Sequence, residues 1–182
     1  LGSGSLDGAF QGGDNGYAGY DGLGNLQGTY TNAAYHYEKI ASGNSQGFVL
    51  SSGADGTDGY IKALGLLSNQ DEYDINMIFV PGVVDNFGGG HTSIITKAID
   101  VCEDRGDCFL VYDAVEHGQT NIPTVTSKAE ERDTNYAATY WPWVKVNDSQ
   151  VGVHRWVPPS VVLPGIYAFN DKVAAPWFAP AG

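Results

Sequence analysis

The chain has 182 residues, enough for one substantial hydrophobic core or for one core with a smaller attached module. Its 21 acidic residues against 9 basic ones give a formal net charge of -12, which opposes the phosphate neutralisation that direct nucleic-acid binding requires. No apolar stretch approaches the roughly 20 residues of a membrane-spanning helix, and no charged, apolar, small-residue leader opens the chain.

Residues 1–47 are dense in Gly, Asn, Asp and Tyr, as in Gln11-Gly-Gly-Asp-Asn-Gly-Tyr-Ala-Gly-Tyr20. Such composition favours turns and short strands, because Gly reaches backbone angles closed to other residues and Asn and Asp close local hydrogen-bonded turns. The tyrosines offer surface to bury, which argues against a plain linker. Gln46-Gly-Phe-Val-Leu-Ser51 reads as a short strand. Residues 1–57 are therefore taken as a Gly-rich loop and strand region, an addition to the body formed by 58–182.

The character changes at Asp58, which is placed to cap a helix ending near Asn69, with Tyr60, Ala63, Leu64 and Leu67 on one face. Ile75-Asn-Met-Ile-Phe-Val80 is a nearly continuous apolar run, the pattern of a strand buried on both faces, and Pro81-Gly82 is expected to stop it. A helix from about Thr92 puts Ile94, Ile95, Ala98, Ile99 and Cys102 on one stripe, and Gly106 is placed to end it. Burying its three isoleucines contributes roughly 5 to 9 kcal/mol before ordering costs.

Phe109-Leu-Val-Tyr112 is the next buried strand, and Pro123 opens a shorter helix through about Arg132 with Val125 and Ala129 inward. Tyr136 to Val146 reads as a strand in which Tyr136, Ala138 and Tyr140 face one way and Thr139, Trp141 and Trp143 the other, with Pro142 favouring an edge or a bulge. Ser160 begins the last helix, where Pro164 is tolerable within the first turn or so. Alternating strands and helices predict an α/β fold with a mostly parallel central sheet and flanking helices.

Candidate chemistry is sparse. Gly88-Gly-Gly-His-Thr-Ser93 lies where amides at a helix start bind anions, but it lacks the Gly-Lys-Ser/Thr ending of a phosphate loop, and helix capping by Thr92 or Ser93 is the preferred reading. A hydrolase would draw on Ser93 or Cys102, His91 or His117, and Asp85 or Asp113, yet no Gly-x-Ser-x-Gly nucleophile elbow occurs. The acidic turns from Asp14 and from Asp55 both lack the closing acidic ligand of a calcium loop. Cys102 and Cys108 are read as buried reduced thiols, although a disulfide is geometrically conceivable, and with four scattered histidines they do not make a zinc site. No catalytic, cofactor-binding or metal-binding residue is assigned. Trp141, Trp143, Trp177 and Phe178 are assigned to core or to a subunit interface, because large aromatics serve both roles.

The order of three segments is the most specific signal. Tyr136-Ala-Ala-Thr-Tyr-Trp-Pro-Trp-Val-Lys-Val146 is followed by Val157-Pro-Pro-Ser160 and then by Ala175-Pro-Trp-Phe-Ala-Pro-Ala-Gly182. These segments, with Asp74-Ile-Asn-Met-Ile-Phe-Val-Pro-Gly82 and Asp107-Cys-Phe-Leu-Val-Tyr-Asp113 before them, resemble the core of contractile-tail sheath proteins, with the closest likeness to sheaths of T-even-type phages. The resemblance spans about 59–182; residues 1–57 align with no shared sheath segment.

The resemblance implies a non-enzymatic structural subunit that polymerises around a tail tube protein and contracts to drive the tube through the host envelope. It implies assembly in the host cytoplasm and a place in the virion, contact with neighbouring subunits through terminal arms, and no direct nucleic-acid or membrane contact. On that reading the chain is a fragment ending before the C-terminal arm, and by itself monomeric or weakly associated. The rival readings are the sheath of a pyocin-like or type VI contractile injection system, and, from another class, an α/β hydrolase or nucleotide-binding enzyme suggested by fold pattern alone.

Overall fold

The computed structural model describes residues 40–43, 45, 49–149, 152–175 and 177–178. The acidic turn at Asp14 and most of the Gly-rich region lie outside the described residues, as do residues 46–48 of the strand expected at 46–51. Val49 and Leu50 have no regular secondary structure, but Leu50 is fully buried in the core.

The first helix, α1 (Asp55–Leu67), begins three residues before Asp58, so the expected cap is a first-turn acid instead. Ala54 holds the N-cap position without a side-chain bond. Leu64 is buried and Tyr60 and Ile61 pack on the core, whereas Ala63 is exposed and does not share their face. The boundary expected at 57 falls within this helix.

The first strand, β1 (Met77–Val84), runs through Pro81-Gly82 rather than stopping there. The dipeptide makes an irregularity instead of an end. Phe79 pairs with Val111 and Val84 with Asp113, so Val80 to Val83 stand opposite Tyr112 alone. Pro81 has no amide to give to a ladder, and Gly82 takes a φ of 88°, which a side chain would resist. A single 3-10 turn, Asp85–Phe87, then leads into α2 (Gly89–Arg105).

Helix α2 starts three residues earlier than Thr92. Neither Thr92 nor Ser93 caps it: Thr92 Oγ1 donates back to the Asp85 carbonyl at 3.1 Å, and Ser93 Oγ to the Gly89 carbonyl at 3.1 Å. Its apolar stripe is buried as expected, with Ile94, Ile95, Ala98, Ile99 and Cys102 all in the core. Gly106 ends it at φ 71°, donating its amide to the Cys102 carbonyl at 2.9 Å.

Next come β2 (Phe109–Asp113), α3 (Ile122–Glu130) and β3 (Ala137–Thr139). The three strands form a parallel sheet in the order β1-β2-β3. This is an α/β fold with helices flanking the sheet. In α3 no residue is fully buried, and Val125 and Ala129 are half-buried.

The long aromatic strand expected over 136–146 is divided. Its first part is β3; after Tyr140-Trp-Pro-Trp143 the chain enters β4 (Val144–Asp148), which pairs antiparallel with β5 (Val153–Val157) in a separate hairpin. Pro142 follows a cis peptide bond and lies between the two sheets. The last helix, α4 (Pro159–Val173), carries Pro164 as its sixth residue, so the proline lies in the second turn and leaves the Ser160 carbonyl without its in-helix donor.

Alternation along β2 shows how the layers are arranged. Leu110 and Tyr112 enter the cluster formed with α2, behind which α1 packs. Phe109 and Asp113, on the other face, meet α4: Phe109 shares a groove with Tyr167, and Asp113 bonds to Ser160. The sheet is thus covered on both sides, which accounts for the nearly continuous apolar runs of β1 and β2.

Candidate functional site

The polar residues that a hydrolase would use differ in burial and bonding. Ser93 is an exposed helix residue bonded to its own helix backbone. Cys102 lies in the buried stripe. Asp85, the first residue of the 3-10 turn after β1, accepts two bonds from Arg132, at 2.9 Å from Nε and 2.7 Å from an Nη. His91 is buried, its Nδ1 accepts the Val84 amide at 3.1 Å, and its ring meets Phe87 edge-on. Burial lowers its pKa; the Ser42 backbone opposes that shift, although Nε2 has no partner in hydrogen-bond geometry.

Asp113 ends β2 and is also buried. Its carboxylate accepts the Ser160 amide at 3.2 Å and the Ser160 hydroxyl at 2.6 Å, so it caps the first turn of α4 from the sheet face that the helix covers. Burial raises its pKa to about 6, against the lowering effect of both Ser160 bonds. These two bonds fix the Asp113 carboxylate against the start of α4. Asp113 and Ser160 are 47 residues apart, and no local pattern in the sequence joins them.

The aromatic residues expected at core or interface divide into two groups. Trp143 is buried and donates its indole N–H to the Val115 carbonyl at 2.9 Å. Trp141 is 41% exposed, donating to the Gln119 carbonyl at 3.0 Å. Trp156, on β5, is exposed as well, and His117 stands between Trp143 and Trp156 with ring centroids 5.6 and 5.1 Å away. These contacts fasten the hairpin to the loop after β2.

The second group follows α4. Ile166, Phe169 and Val173, spaced by three and four, form an exposed apolar line on the helix, and Phe169 is 64% exposed. Beyond the helix Trp177 is 87% and Phe178 62% exposed. Asn170 donates to the Phe178 carbonyl at 2.9 Å, which turns the chain back toward the helix. Beside it lies a mostly apolar groove of about 290 Å³, lined by Met77, Phe109, Tyr140 and Phe178 among others and also by the polar Asn170 and Asp171. Tyr140 and Tyr167 close one wall, their hydroxyls 2.6 Å apart, and burial raises the Tyr167 pKa well above the usual phenol range.

This apolar surface is the feature of the described residues best suited to contact another protein segment. Among those residues no group of three or more His, Cys, Asp or Glu is arranged to hold a metal ion, and no helix is long and apolar enough to cross a membrane. Compared with protein-family models and with curated proteins, the chain matches none.

Proposed function

We propose that the chain is part of the sheath subunit of a contractile phage tail, a structural protein that polymerises around the tail tube and contracts to drive it through the host envelope. The observation that carries this reading is the set of exposed large apolar side chains, Ile166, Phe169 and Val173 in a line on α4 and Trp177 and Phe178 just beyond it, in the same segment whose sequence resembles sheath cores. Large apolar side chains left in a row in water cost free energy that a neighbouring segment recovers on docking. The covered α/β sheet supplies a body that stays rigid while contacts between subunits change.

On this reading the role is mechanical, the partners are further copies of the subunit and the tail tube protein, and the location is the virion. The acidic net charge suits a subunit that touches protein rather than DNA. The test is electron microscopy of the longer protein that contains this chain, expressed alone. Hollow tubes of stacked rings are the expected result, with this chain by itself monomeric in light scattering. A protein that stays monomeric under conditions that assemble sheaths overturns the proposal and turns attention to nucleotide binding and hydrolase assays.

A further inference from the structure

Cys102 closes the apolar stripe of α2, and Cys108 stands one residue before β2. Both are buried free thiols, and their sulfurs are 3.4 Å apart. A disulfide needs sulfurs about 2.05 Å apart, so closure asks for a movement of about 1.4 Å shared by two side chains. The intervening turn already holds the helix end against the strand start, through the Gly106 amide bonded to the Cys102 carbonyl. Arg105 clamps it further: its guanidinium donates to both Asp107 carboxylate oxygens, at 2.8 and 2.9 Å, and to the Leu67 and Tyr73 carbonyls.

We propose that Cys102 and Cys108 form a redox modification site, at which a small-molecule disulfide converts the two thiols into an intrachain disulfide that staples the end of α2 to the start of β2. One cysteine, as thiolate, attacks the oxidant's S–S bond, giving a mixed disulfide and releasing one small thiolate. The second cysteine, as thiolate, attacks the protein sulfur of that mixed disulfide and releases the other small thiolate. The two protons lost by the cysteines end on the two small thiols, and the two electrons reduce the oxidant.

Access controls the rate. Burial, with Cys108 alongside, pushes the Cys102 thiol up to about 12, and both sulfurs are shielded, so oxidation passes through transient opening of the turn. The pair is therefore slow to oxidise and favourably placed once oxidised. The site belongs to the fold of this chain and stands whether or not the chain belongs to a sheath.

The test is a glutathione redox titration of the full chain, approached from the reduced and from the oxidised side so that slow access does not decide the outcome. It is run in buffer and in full denaturant and read by intact mass and non-reducing peptide mapping. The expected result is loss of the two thiol hydrogens with a peptide linking Cys102 to Cys108, and an equilibrium constant at least about tenfold larger in buffer than in denaturant. Cys108→Ser should lose no thiol hydrogens as an internal bridge. Glutathione adducts in place of the bridge, or a constant no larger in the folded chain, would overturn the proposal.

Discussion

The Asp113 carboxylate accepts both the amide and the hydroxyl of Ser160, at 3.2 and 2.6 Å, and so ties the end of β2 to the first turn of α4 inside the protein. Burial raises the Asp113 pKa to about 6, above the usual carboxyl value of about 3.9 in an unfolded chain. A raised carboxyl pKa means that the folded state binds the proton more tightly. The resulting stabilisation is complete below about pH 4 and is lost as the pH rises through about 6, a change of about 3 kcal/mol for this group.

Asp113→Asn should remove that slope. The amide keeps an oxygen for the Ser160 N–H and offers an N–H to the Ser160 hydroxyl, without the cost of burying a charge. Urea unfolding at pH 8 should show the variant as stable as the parent or more stable by about 1–3 kcal/mol, with the advantage gone near pH 4. A variant less stable than the parent at pH 8 would mean that the charge itself strengthens the cap.

Arg132 reaches from the end of α3 to the buried carboxylate of Asp85 with two bonds, and to Thr96 Oγ1 at 2.9 Å with a third. Arg132→Leu leaves that carboxylate buried and uncompensated, and should cost about 3–5 kcal/mol in chemical denaturation. Adding Asp85→Asn should restore much of the loss, because the penalty comes from the orphaned charge. Equal destabilisation in the single and double variants would assign the effect to packing of the arginine stem.

Gly90 is a position where the chain leaves no room. A Cβ there falls against Thr57 Oγ1 and lies 2.6 and 2.8 Å from the Leu50 and Ser51 carbonyl oxygens. Backbone cannot withdraw as a flexible side chain can, so the start of α2 must part from the 50–52 segment. Gly90→Ala should cost about 3 kcal/mol or more by thermal or urea unfolding, while Gly59→Ala, at an open site in α1, should be neutral or stabilising. Equal effects from the two would refute the close approach.

What the sequence revealed and what it hid have the same physical origin. Periodicity exposes an element whose neighbours lie within the segment itself, so the stripe of α2 and its stop at Gly106 were legible, as was Phe109–Tyr112. Helix starts were less so, because Ala54 and Gly88 hold the N-cap positions with no side-chain bond to mark them. Pro81-Gly82 read as punctuation, yet β2 continues alongside and carries the strand through as an irregularity. Alternation over 136–146 puts Trp141 and Trp143 on one face of one strand; the strand ends at Thr139, so alternation does not govern them, and one is exposed while the other is buried. The Asp113–Ser160 and Asp85–Arg132 pairs each join residues 47 apart, a distance at which only the folded topology makes neighbours. For the candidate surface, Trp177 and Phe178 were legible as large aromatics, but the exposed line on α4 needed the other helix face to be seated on the sheet.

The line on α4 is exposed, so it can be changed without opening the core, and this permits a direct test of the proposed sheath role. Phe169 and Val173 point away from the sheet while Leu163 of the same helix is buried against it. Replacing Phe169 and Val173 with Ser removes apolar area already in water, so the isolated chain should keep its unfolding free energy within about 0.5 kcal/mol per site. In the complete sheath subunit of the proposed reading the same change should lower the yield of tubes seen by electron microscopy, because the area lost is the area a neighbour would bury. Leu163→Ala supplies the contrast: it should destabilise the isolated chain by about 2–5 kcal/mol, the cost of a cavity beneath the helix. Full tube formation by the Phe169→Ser, Val173→Ser protein would remove this face from the assembly surface, whereas loss of tubes with the fold intact would place it there.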